Sequence, residues 1–158
     1  MAPTGFIEST ALGLAMRQST WLYPAVETAH IIGLALLFGS IVVLDLRLLG
    51  LSRSLPVRKL AGHVLPWTLA SFLLIVPSGF MMFVAHAGDF IANPVFALKI
   101  CLILAAGTNA ALFHAGVFRS AANWDVGVMP PAAARAAAAL SLLLWVSVIA
   151  CGRLLAYT

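Results

Sequence analysis

The chain has 158 residues, 63% of them hydrophobic and 9% charged, with nine Lys and Arg against five Asp and Glu and a formal net charge of +4. Soluble domains carry roughly a quarter charged residues, so this composition excludes an ordinary water-facing surface and points to a bilayer, which accepts apolar side chains as neighbours. The basic residues form no continuous stripe and follow membrane topology instead, which excludes a nucleic-acid partner.

The first stretch, MAPTGFIESTALGLAMRQ, lacks the basic start and long apolar core of a signal peptide and is expected to be retained. Thr4 is a candidate N-cap, and Ile7, Ala11 and Leu14 recur at helical spacing opposite Glu8 and Gln18. Residues 1–20 are therefore predicted to form an amphipathic interfacial segment on the outer surface. Four apolar runs follow, at 22–46, 60–87, 94–117 and 132–156, each near the roughly 20 helical residues that cross a hydrocarbon core. Their short connections make neighbours antiparallel, so 21–158 is read as one all-α domain, a four-transmembrane-helix antiparallel bundle.

Pro56 and Pro131 suit helix starts. Pro66 and Pro77 each remove a backbone hydrogen bond inside the second span, and Pro77-Ser78-Gly79 is its expected kink. Ala35 and Gly39 on the first span, and the alanine-rich run 132–139 on the fourth, allow close backbone approach. Arg47, Arg53, Arg58, Lys59, Arg119 and Arg135 gather at one end of the bundle. By the positive-inside tendency that end is cytoplasmic, so both termini and the Gly88-Asp89 turn are expected outside the cytoplasm, in a bacterial inner membrane. Trp21 and Tyr23 fit an outer aromatic belt.

Ionisable side chains inside a span are costly and each calls for a reason. The topology pairs His30 with His86 near the outer face and His63 with His114 near the inner one. Two imidazoles on antiparallel helices can hold a b-type haem, with Gly33, Gly62, Gly88 and Gly116 leaving room for the ring. His63 and His86 stand about 34 Å apart along a straight helix, which makes a two-haem relay slow. Glu27 precedes His30 by three residues, and Met82 lies one turn before His86, so Glu27, His30, Met82 and His86 form an alternative copper-type donor set. Lys99 is a candidate partner for Glu27, and Asp45 for Arg119 or a protonated His114, while Arg47 is free to snorkel. Cys101 and Cys151 are too few for a disulfide framework, and no C-x-x-C-H run occurs. No G-x-S-x-G elbow, phosphate loop or His-Glu-x-x-His motif occurs either, which argues against a stand-alone enzyme.

Together, WLYPAVETAHIIGLALLFGS, LDLRLLG, LPWTLA, ANPVFALK and GTNAALFH resemble a bacterial family of four-helix inner-membrane proteins known only as a domain of unknown function. The likeness runs from about Trp21 to His114, and it implies a fold and no activity. Glu27, His30, Asp45, Arg47, Lys99, Asn109 and His114 match its pattern; His63 and His86 lie outside the matching elements. A looser similarity to small membrane b-type cytochromes and copper-resistance membrane proteins rests on bundle architecture alone. The resulting expectation is a small electron-transfer subunit. It would bind haem b through His30 and His86 and exchange electrons between quinone and an extracytoplasmic or membrane protein partner. A copper-handling protein and a non-catalytic membrane anchor are the alternatives, and a homo-oligomer is compatible with each.

Overall fold

The protein is described here by a computed structural model covering residues 4–157. Seven α-helices follow one another: α1 (Gly5–Glu8), α2 (Ala11–Gln18), α3 (Leu22–Leu48), α4 (Val57–Ala85), α5 (Ala87–Ala92), α6 (Pro94–Ala115) and α7 (Ala132–Leu154), with a 3-10 helix, Val117–Trp124, between the last two. α3, α4, α6 and α7 are long and apolar enough to cross a membrane, so the chain is a multi-pass membrane protein of the expected all-α class.

The antiparallel register of α3 and α4 is read from three contacts. Tyr23 meets His86 edge-on at 5.6 Å between ring centroids, His30 Nδ1 lies 2.9 Å from Ser78 Oγ, and Gly33 backs onto Leu74 and Ile75. A Cβ at Gly33 would come within 2.8 Å of the Ile75 side chain, so this glycine sets the closest approach of the pair. The expected position, Gly39, has nothing within 4 Å of where a Cβ would be. α4 runs unbroken through Pro66 and Pro77.

The four spans are joined in the spatial order α4–α3–α7–α6. Each of these neighbours is packed on the next, but among the described residues α4 and α6 nowhere bring Cα atoms within 8 Å. That fourth flank is bridged only at its ends. At the N-terminal end Phe83 of α4, Phe90 of α5 and Phe96 of α6 form a ring cluster with centroids 5.2–6.3 Å apart. At the opposite end the 3-10 helix touches α4, α6 and α7, and its Trp124 and Ala121 join Leu44, Leu48, Val57 and Phe113 in the main buried cluster.

The N-terminal segment differs from its expectation in one respect. Thr4 makes no side-chain cap, and the helix breaks at Ser9 and restarts with Thr10, whose hydroxyl accepts from Gly13 N. The break lets α2 turn its Met16, only 1% exposed, into a cluster with Val26 and Ala85. Arg17 and Glu8 then tie the segment to the α4–α5 junction. Arg17 Nη1 donates to Ala85 O and lies 3.3 Å from Glu8 Oε2, while Glu8 Oε1 accepts from Gly88 N at 2.7 Å. Phe6 and Trp21 remain more than four-fifths exposed, as suits residues at a lipid interface.

Candidate functional site

Four histidines were expected in two facing pairs, and neither pair is assembled. His30 sits against Ser78, with Gly79 leaving 3.2 Å between its absent Cβ position and the ring. The Ser78 hydroxyl donates to Leu74 O, so its oxygen accepts from His30 Nδ1–H. His86 is seven residues further along α4 than Gly79, about 10 Å by helical rise, and packs on Tyr23. His30 and His86 thus meet different residues, Ser78 and Tyr23, in this arrangement. At the other end His63 is exposed on α4, whereas His114 faces inward against Phe113 and Phe118.

Gly88 and Gly116 are also accounted for without a cofactor. A Cβ on Gly88 would approach Glu8 Oε1, and one on Gly116 would press on Leu112 O. Met82 packs in the cluster around Met16. Among the described residues no three His, Cys, Asp or Glu side chains converge as a metal site, so Glu27, His30, Met82 and His86 are not drawn together.

Three ion arrangements expected from sequence are replaced. Glu27 does not pair with Lys99: Glu27 is exposed on α3, while the Lys99 ammonium lies 3.6 Å from where a Gly152 Cβ would stand on α7. Arg17–Glu8 is the one ion pair within 4 Å among the described residues. Arg47 does not snorkel; it is 2% exposed and donates to Leu55 O at 2.8 Å, Arg53 O at 3.3 Å and Asp125 O at 2.9 Å. The reason is local. Gly50 takes a left-handed φ of +106° and ends α3, so the connection folds back and presents its carbonyls to the arginine, which offers several donors from one planar fork. Asp125 also accepts from Val57 N through its carbonyl and from Arg58 N through Oδ1, a carboxylate at the start of α4 that complements the helix dipole.

Asp45 pairs with neither Arg119 nor His114. Its Oδ2 is buried with no hydrogen-bond partner, and the residue is 6% exposed. It lines a cavity of about 300 Å³ between all four spans. Leu37, Ile41 and Leu44 of α3 form the back and Thr68, Leu69 and Phe72 of α4 one flank. Gly107, Asn109, Ala110 and His114 of α6 form the other flank, and Ser141 and Trp145 of α7 complete it. Asn109 is fixed by donating to Ala137 O at 3.0 Å. An apolar void with a few convergent polar groups is the usual form of a small-molecule site, and this volume stands at the lower end of that class.

The match to a family model covers residues 5–158, the whole bundle and the segment before it. The chain belongs to the family of unknown function DUF6644. Comparison with curated proteins and with solved structures gives no match. Membership fixes no chemistry for a DUF6644 chain, so the site stands on its residues. Asp45, Asn109 and His114 were candidates from the sequence; Ser141 and Trp145 were missed. Their signal was weak, a lone serine and a lone tryptophan in the apolar run of α7. A second, shallow basin of about 400 Å³ lies at the N-terminal end among Met16, Arg17, Tyr23 and His86. Arg17 is already engaged there.

Proposed function

We propose that this DUF6644 protein binds a lipid-soluble small molecule carrying one polar head, of the quinone class, with the head at Asp45 and Ser141 and the apolar part against α4 and α6. The observation that carries the reading is a buried Asp45, its Oδ2 without a hydrogen-bond partner, among the residues lining a mostly apolar cavity. A buried polar group without a partner costs roughly 1–3 kcal/mol; in an apolar setting a carboxyl group is favoured in its neutral form, and a quinone carbonyl that accepts from its O–H recovers that loss. Thr68, Asn109 and His114 add polar contacts around the same void. A quinone ligand fits a subunit that passes electrons to a membrane or extracytoplasmic protein partner, and the electron-transfer role is retained in that form. Six of the nine basic residues sit at the Arg47 end, which supports an orientation with that end in the cytoplasm and the termini outside, in the inner membrane.

Trp145 lines the cavity and serves as an internal reporter, since quinones quench indole fluorescence on close approach. Titrating a short-tailed benzoquinone into the purified protein in lipid nanodiscs should give saturable quenching that largely disappears in Trp145→Phe and weakens at least tenfold in affinity in Asp45→Leu. Quenching that never saturates, or saturates unchanged in Asp45→Leu, refutes the reading.

A further inference from the structure

We infer that the ligand reaches this cavity sideways, from within the bilayer, through a window between α4 and α6. The inference rests on the binding reading above and adds the route and the physical class that the route admits, a molecule already dissolved in the membrane.

The window is defined by where the bundle is not packed. α4 and α6 are the one pair of spatially adjacent spans whose backbones stay apart, and the flank is pinned at both ends. The Phe83–Phe90–Phe96 cluster closes it at the N-terminal end, and the 3-10 helix closes it at the Arg47 end. What remains is an opening at mid-bundle, and the residues on its two sides are both cavity-lining and outward-facing. Leu69 of α4 is 65% exposed, and Gly107 and Ala110 of α6 are exposed. The aqueous ends are obstructed by packed aromatic rings, whereas the lateral side is bordered by a leucine, a glycine and an alanine.

The occupant is a small molecule and not a helix of another chain. The void of about 300 Å³ is of the size that small-molecule sites have. A transmembrane helix would also bring no free backbone acceptor to the Asp45 carboxyl group, because its carbonyls are used internally.

Gly107 supplies the test. Nothing lies within 4 Å of where its Cβ would be, so side chains are tolerated there and narrow the opening without touching Asp45. Gly107→Ala, Gly107→Leu and Gly107→Phe should slow both association and dissociation of the short-tailed benzoquinone in stopped-flow quenching, by at least tenfold for the largest, a larger factor than any accompanying change in Kd. If a variant fails to fold, Gly107→Cys in a Cys101→Ser background is purified first and then labelled with small or bulky thiol reagents, and the same graded slowing is expected. Unchanged rates overturn the lateral route. So does a loss of affinity without slower exchange, since that makes position 107 part of the pocket and not of its mouth. Absence of saturable binding in the unsubstituted protein refutes the binding reading itself, which separates the two failures.

Discussion

Replacing Asp45 by leucine should make the ligand-free protein more stable while abolishing binding, and that combination distinguishes a site residue from a structural ion. The buried Oδ2 without a partner represents a penalty of roughly 1–3 kcal/mol. Leucine removes it, and the adjoining 300 Å³ void gives its larger side chain space, so overpacking does not offset the gain. The net expectation is a stabilisation of about 1 kcal/mol, or roughly 2–4 °C in Tm for a chain of this size. Ser141 lines the same cavity as Asp45, and Ser141→Ala alone should destabilise by no more than about 1 kcal/mol through loss of a polar neighbour of the carboxyl group. The same change in the Asp45→Leu background should cost close to nothing, giving a coupling of similar size in a double-mutant cycle. Thermal unfolding in one detergent, with quenching titrations on the same samples, measures all of this. If Asp45 instead fixed helix register through a satisfied buried contact, Asp45→Leu would destabilise by roughly 3–5 kcal/mol. A fall in Tm of more than about 5 °C would therefore refute the reasoning, as would wild-type quinone affinity in the variant.

The remaining expectations concern the frame that holds the cavity. Arg47→Met strands the Leu55, Arg53 and Asp125 carbonyls and should cost about 3–5 kcal/mol, with amide exchange rising first in residues 49–56 and 125–127. Arg47→Lys should recover only part of it, since one ammonium does not reproduce the fork. Gly33→Ala must displace Ile75 and Leu74 and should cost about 1–3 kcal/mol. Gly39→Ala, where nothing is nearby, should be neutral or stabilising by up to about 1 kcal/mol; equal effects at the two positions would contradict the α3–α4 register. Arg17→Ala removes the Ala85 and Glu8 contacts and should raise exchange across α1 and α2 with a loss of about 1 kcal/mol, while leaving quinone affinity within twofold.

The spans were legible in the sequence because hydropathy over 20 residues is a strong and local signal. The observed ends fall within three residues of the expected ones, and they move where turn chemistry acts, as at Gly50. Which glycine sets the helix approach was not legible, because Gly33 and Gly39 differ only in the side chains that the partner helix brings opposite them. Depth along a span follows from counting residues, but facing requires the rotation of both helices: His63 is exposed on α4 while His114 lines the cavity, and His86 packs on Tyr23 while His30 meets Ser78. Asp45, Asn109 and His114 were identifiable as costly intramembrane groups; Ser141 was not, since one hydroxyl in an apolar run matters only through the carboxyl group whose cavity it lines.

The buried and membrane-level charges then divide by what they satisfy. Arg47 holds three loop carbonyls, Arg17 and Glu8 hold two helix ends, and Asp125 starts α4. In each case the charge answers backbone groups that the fold itself leaves open, so its position is explained once the connections are drawn. Arg47 Nη1 is also buried without a partner, but that atom belongs to a guanidinium whose other nitrogens are engaged with the chain, and Arg47 does not line the cavity. Asp45 meets no counter-charge within 4 Å among the described residues, and the connections of the fold do not account for a carboxyl group at this depth beside the void; under the proposed binding role, a ligand reaching it between α4 and α6 would.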